Sequence, residues 1–142
     1  MNELNELYST RLLALANNIP YSQMLDKFDS KASAHSKLCG SSVTVEIQVQ
    51  DYRIINFGQT VKACLLCQAS AAIIGQNIIG TAFEEFRDVA RQMRSMLKHN
   101  GIPPSGRWTE LALLMPVRPY KSRHTSTLLV FDALEKAIDA IE

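Results

Sequence analysis

Val43-Thr44-Val45-Glu46-Ile47-Gln48-Val49-Gln50 alternates apolar and polar side chains without a break. A period of two places the four valine and isoleucine side chains on one face, so the stretch predicts a half-buried β-strand. Asp51-Tyr52 then supplies a turn. Residues 53–58 and 59–64 read as two further short strands, which makes an antiparallel meander. After Cys64 the alternation stops. Ala63 to Phe83 is free of charge, but Gln68, Ser70, Gln76, Asn77 and Thr81 interrupt it, with Gly75 and Gly80. That composition predicts a buried helix to about Ile79 rather than a membrane span.

Outward from this centre the period becomes helical. Leu4, Leu7, Tyr8, Leu12, Leu15 and Ala16 predict an amphipathic helix over 3–17, ended by Asn17, Asn18 and Pro20. Residues 20–38 read as a polar loop with a short helical turn near Gln23 to Lys27. Phe83, Phe86, Val89, Ala90, Met93 and Leu97 share one face of a helix that starts after Gly80-Thr81. Asn100-Gly101-Ile102-Pro103-Pro104 closes it. A short helix over Trp108 to Leu114, stopped by Pro116, and a last one from about Ser122 to Ile141 complete the order. Strands precede most helices, which predicts an α+β fold: a three-stranded antiparallel sheet packed against helices, residues 1–142 forming a single domain.

Composition narrows the function. Hydrophobic residues make up 46% and charged residues 20%, which excludes a wholly disordered chain. A net charge of +1 offers no phosphate-binding excess, so no nucleic acid is expected as a partner. No signal peptide or membrane segment is read, and the expected compartment is cytoplasmic. No serine–histidine–aspartate order, phosphate loop or paired-carboxylate motif stands out, so no enzyme is expected.

Three cysteines without a secretory signal raise thiol chemistry or metal binding rather than a disulfide framework. Cys39 precedes the alternating strand, next to Gly40. Cys64 opens the buried helix, where the positive end of the helix dipole favours the thiolate, the form that binds metal. Cys67 follows in Cys64-Leu65-Leu66-Cys67. A lone CxxC is a weak zinc signal; Cys67 is equally read as a small core residue, and a CxxC at a helix start also has the local geometry of a redox pair. Of the histidines, His35 and His99 read as surface residues, while His124 sits at the start of the last helix.

Several segments, in order, resemble the U-type iron–sulfur scaffold family of the NifU N-terminal domain, IscU and SufU. They are His35-Ser36-Lys37-Leu38-Cys39-Gly40-Ser41, Val61-Lys62-Ala63-Cys64 with Gln68-Ala69-Ser70-Ala71-Ala72, and Ser126-Thr127-Leu128 with Phe131-Asp132-Ala133-Leu134. The resemblance implies a SufE/NifU-like fold and a scaffold or carrier that binds an iron–sulfur cluster, [2Fe-2S] in type, or zinc in its absence. It implies a cysteine desulfurase as sulfur donor and iron–sulfur acceptor proteins as recipients. Cys39 and Cys64 match the family's first two cysteines. Its aspartate falls on Ser41, its third cysteine on Ser126, and the histidine of IscU-type members on Thr125. His124, one residue upstream, is the expected replacement ligand, with Cys67 as a candidate fourth. Three ligands leave a coordination position that a second copy in a homodimer could fill. The alternative function is a sulfur (persulfide) acceptor or relay for the desulfurase, with a structural zinc.

Overall fold

The structure, a computed structural model, describes residues 9–37 and 40–142. Helix α1 spans Thr10–Ala16; Ser9 caps it, its Oγ accepting from the Leu12 amide at 3.2 Å. Three strands follow: β1 Ser30–His35, β2 Ser42–Gln50 and β3 Arg53–Lys62. They form one antiparallel sheet in the order β1-β2-β3. Then come α2 Leu65–Asn77, α3 Phe83–Lys98, a 3-10 segment Gly106–Val117, a 3-10 turn Lys121–Arg123 and α4 His124–Ile141.

The sheet class is as the sequence implies, but two strands differ. β1 lies where a polar loop is expected, and residues 53–62 form one strand rather than two. β1 reads Ser-Lys-Ala-Ser-Ala-His, and only small residues, Ser30 and Ala34, are fully buried on its inner side. Small residues there let α4 approach closely: Ser30 Oγ donates to the Ala137 carbonyl at 2.6 Å. Residues 20–29 carry no helical turn. Residues 3–8 of the expected N-terminal helix lie outside the described residues. The 3-10 segment runs one residue past Pro116, whose missing N–H removes a donor only at the segment's last turn.

Val43, Val45 and Ile47 of β2 are fully buried, with Phe57 of β3 beside Ile47 in register. Asp51 and Tyr52 both take positive φ, 53° and 62°, the conformation that a two-residue hairpin turn requires. α4 covers β1 and β2, and α2 packs between α1 and α4. α2 is buried almost all round, from Leu66 and Cys67 through Ala69–Gly75, as its uncharged sequence implies. Phe86 of α3 stacks on Phe131 of α4 with ring centroids 5.8 Å apart.

An ion-paired cluster ties α3 to the 3-10 segment. Glu85 Oε2 accepts from Trp108 Nε1 at 2.8 Å and from Arg107 at 2.9 and 3.1 Å. Burial alone would raise the Glu85 carboxyl, but the hydrogen bonds from Trp108 and Arg107 outweigh it and hold it below the usual range. A carboxyl depressed in the folded state contributes stability above its unfolded value and loses it as pH falls through its folded value. Glu85→Gln is therefore expected to cost about 1 kcal/mol at neutral pH, reduced by its partial exposure. The gap from wild type should shrink on acidification, which urea melts at pH 7 and pH 3 would check.

Candidate metal centre

The sheet register brings two ligand-bearing segments to one end. Ser42 of β2 pairs with Lys62 of β3 on one side and His35 of β1 on the other. The β1–β2 connection and the residues after β3 therefore emerge together. Cys39 belongs to that connection and lies outside the described residues. Its described neighbours form a closed loop: the Ser36 amide donates to the Ser41 carbonyl at 2.8 Å, and the Gly40 amide to the Ser36 carbonyl at 3.0 Å. Gly40 has φ +69°, a backbone that favours glycine.

Cys64 is the N-cap of α2. Its backbone is extended (φ −69°, ψ 170°) and its side chain makes no capping bond, while its thiol is exposed. Its amide donates to Ser41 Oγ at 3.3 Å. Ser41, at the position matched to the family's aspartate, is thus fixed beside Cys64. Cys67, three residues into α2, is fully buried. Exposed thiol first and buried thiol second was not distinguishable from the CxxC spacing alone.

His124 begins α4 and is buried, 6% exposed. Its Nε2 lies 3.0 Å from the Arg118 carbonyl and 3.2 Å from that of Val117. Both partners are acceptors, so Nε2 is the donor, and in the neutral ring the lone pair is then on Nδ1. A metal-binding histidine is commonly fixed in this way, by a backbone carbonyl on its other nitrogen. Sequence reading named this histidine but gave no hint of which nitrogen is available. Ser126 is buried and its hydroxyl donates to the Arg123 carbonyl at 3.2 Å, a local helix-start bond; Thr127 Oγ1 does the same at 2.8 Å. α2 and α4 are joined near these ends by Ser70 Oγ, which donates to the Thr127 carbonyl at 2.9 Å. His35 and His99 are exposed. Among the described residues, no group of three or more His, Cys, Asp or Glu side chains is placed to hold a metal. Cys64, Cys67 and His124 alone therefore do not make one. Among the described residues, no helix is long and apolar enough to cross a membrane.

A three-stranded antiparallel sheet backed by α2 and α4 is the architecture of the NifU-like scaffold proteins. No family model matches the sequence. The chain is nevertheless 41% identical to the N-terminal part of a nitrogen-fixing NifU-like protein from Brucella abortus. That crystal structure superposes with a TM-score of 0.97 over 99% of this chain and 97% of its own. The chain belongs to the U-type, NifU-like family. It also resembles the SufU protein for the SUF system of Fervidobacterium islandicum AW-1, with a TM-score of 0.86 at 18% identity, over 94% of this chain and 98% of that one. The iron–sulfur cluster assembly scaffold protein IscU of Thermotoga maritima is 23% identical over 135 residues, 95% of this chain and 94% of its own.

Proposed function

We propose that this chain, acting as a single domain, is a non-enzymatic carrier on which an iron–sulfur cluster is assembled and from which it passes to acceptor proteins. The observation that carries this reading is the bond from the Cys64 amide to Ser41 Oγ. It joins the segment following Cys39 to the helix cap that bears an exposed thiol. Cys39, Cys64 and the Nδ1 of His124 are the proposed ligands, a thiolate and imidazole set suited to iron–sulfur clusters and to zinc. The cluster is cargo, of [2Fe-2S] type, and a cysteine desulfurase supplies its sulfur. Zinc occupies the same ligands when no cluster is present. A second copy of the chain is a source of the remaining ligand.

Anaerobic incubation with ferrous iron, cysteine and a cysteine desulfurase tests this reading. Visible charge-transfer bands and a Mössbauer quadrupole doublet from the protein fraction are expected. A persulfide on Cys64 or Cys39, detected by mass spectrometry with no cluster, would instead mark a sulfur relay.

The proposed role of His124 has its own check. His124→Ala removes a ligand and also leaves the Val117 and Arg118 carbonyls without their buried donor, a cost of about 1–3 kcal/mol. His124→Gln retains an N–H that can reach those carbonyls while losing the imidazole. Zinc affinity is expected to fall at least about tenfold in both variants. Only the alanine variant should lose the full stability increment. Unchanged zinc affinity in His124→Gln would remove the histidine from the ligand set.

A further inference from the structure

Cys64 and Cys67 divide their environments in a way the cluster-carrier reading does not use. Cys64 caps α2 from outside the helical ladder and is exposed; Cys67 occupies the third helical position and is fully buried. Helix geometry sets residues three apart at about 5 Å between Cα atoms, inside the roughly 4.4–6.8 Å that a disulfide spans. The side chain at an N-cap characteristically turns back toward the amide of the second or third helical residue. That rotation would break no capping bond, because the Cys64 side chain makes none. The backbone is already held by the Gln68 amide, which donates to the Cys64 carbonyl at 3.0 Å.

We propose that Cys64 and Cys67 form a redox-active dithiol, with Cys64 the attacking thiol and Cys67 the resolving one. The oxidant is a low-molecular-weight disulfide. The Cys64 thiolate attacks one of its sulfurs, forming a mixed disulfide and expelling one thiolate. The Cys67 thiol then gives its proton to water and attacks Cys64 Sγ. The intrahelical Cys64–Cys67 bond forms, the mixed disulfide breaks, and the second thiolate leaves. Two protein thiols lose two electrons, and one external disulfide becomes two thiols. Access enforces the order: a bulky disulfide reaches the exposed Cys64 and not the buried Cys67. Oxidation consumes Cys64 as a thiolate, so on the ligand assignment proposed above it also closes the metal site.

Metal-free protein equilibrated with glutathione disulfide, then alkylated and digested, tests this. Wild type should yield the 64–67 peptide lighter by two hydrogens, unalkylated and without a stable glutathione adduct. Cys67→Ser and Cys67→Ala should instead accumulate the glutathione adduct on Cys64, at least about tenfold above wild type, because the resolving step is lost. Both are checked for folding by circular dichroism, and two substitutions guard against one failing to fold. Cys39→Ser should still form the Cys64–Cys67 bond. A persistent adduct in wild type, or a disulfide that requires Cys39, would overturn the proposal. Zinc uptake by the oxidised protein provides a separate readout. If the disulfide forms and zinc uptake is unchanged, Cys64 is not a metal ligand, which refutes the ligand assignment and leaves the redox pair standing.

Discussion

Cys64→Ala is expected to abolish metal loading and to leave the fold intact. The two effects separate because of where the sulfur sits. It is exposed and takes no part in capping α2, so its removal should shift stability by no more than about 0.5 kcal/mol. A thiolate ligand, by contrast, is bonded directly to the metal. Loss of a mere outer-shell partner costs about 10–100-fold in affinity, so loss of this ligand is expected to cost at least about 100-fold. Cys39→Ala should match it. Zinc per chain by elemental analysis and iron and sulfide per chain after reconstitution are the measurements, read beside a thermal melt. Full occupancy in a folded Cys64→Ala protein would place the metal elsewhere.

The contrast with Ser41 sharpens this. Its hydroxyl accepts from the Cys64 amide, so it holds the cap and the loop together without needing to touch metal. An aspartate at this position would bring a charged oxygen to the same place. Ser41 presents a neutral acceptor instead, and Ser126 directs its hydroxyl to the Arg123 carbonyl. His124 alone of the residues at that helix start combines burial with a ring nitrogen left available by its bonding.

How far the sequence carries the fold depends on what each residue reports. The alternation of residues 43–50 reports β2 directly, because large apolar side chains mark the buried face. β1 has the same alternation, but serine and alanine mark its inner face, and a close helix rather than bulk fills the space above them. The site was legible to the extent that chemistry and order are: Cys64, Cys67 and His124 stand out as residue types. The division between an exposed and a buried thiol, and the carbonyl pair behind His124, arise from packing that spacing does not encode.

Gly58 lies at the boundary between the two expected strands, 53–58 and 59–64, yet β3 runs straight through it. In a strand, glycine often marks a close approach of another backbone. Here that backbone is the segment over residues 19–25, which lies against β3, an edge strand. The Gln59 amide donates to the Tyr21 carbonyl at 2.9 Å, Gln59 Nε2 to the Pro20 carbonyl at 3.2 Å, and the Leu25 amide to Glu46 Oε1 at 2.7 Å. Covering an edge strand in this way guards it against pairing with another chain. A Cβ on Gly58 would sit 2.3 Å from the Gln23 carbonyl oxygen and 3.3 Å from Leu25, and the nearer atom is backbone that cannot rotate away. Gly58→Ala should therefore displace the segment and cost about 1–3 kcal/mol, as overpacking does. The loss should appear in a urea melt, together with faster proteolysis within residues 19–25. Because Gly58 lacks a positive φ, alanine meets no backbone strain there, and any loss comes from the carbonyl. An unchanged midpoint with unchanged proteolysis would show that this segment yields freely and does not hold the sheet edge.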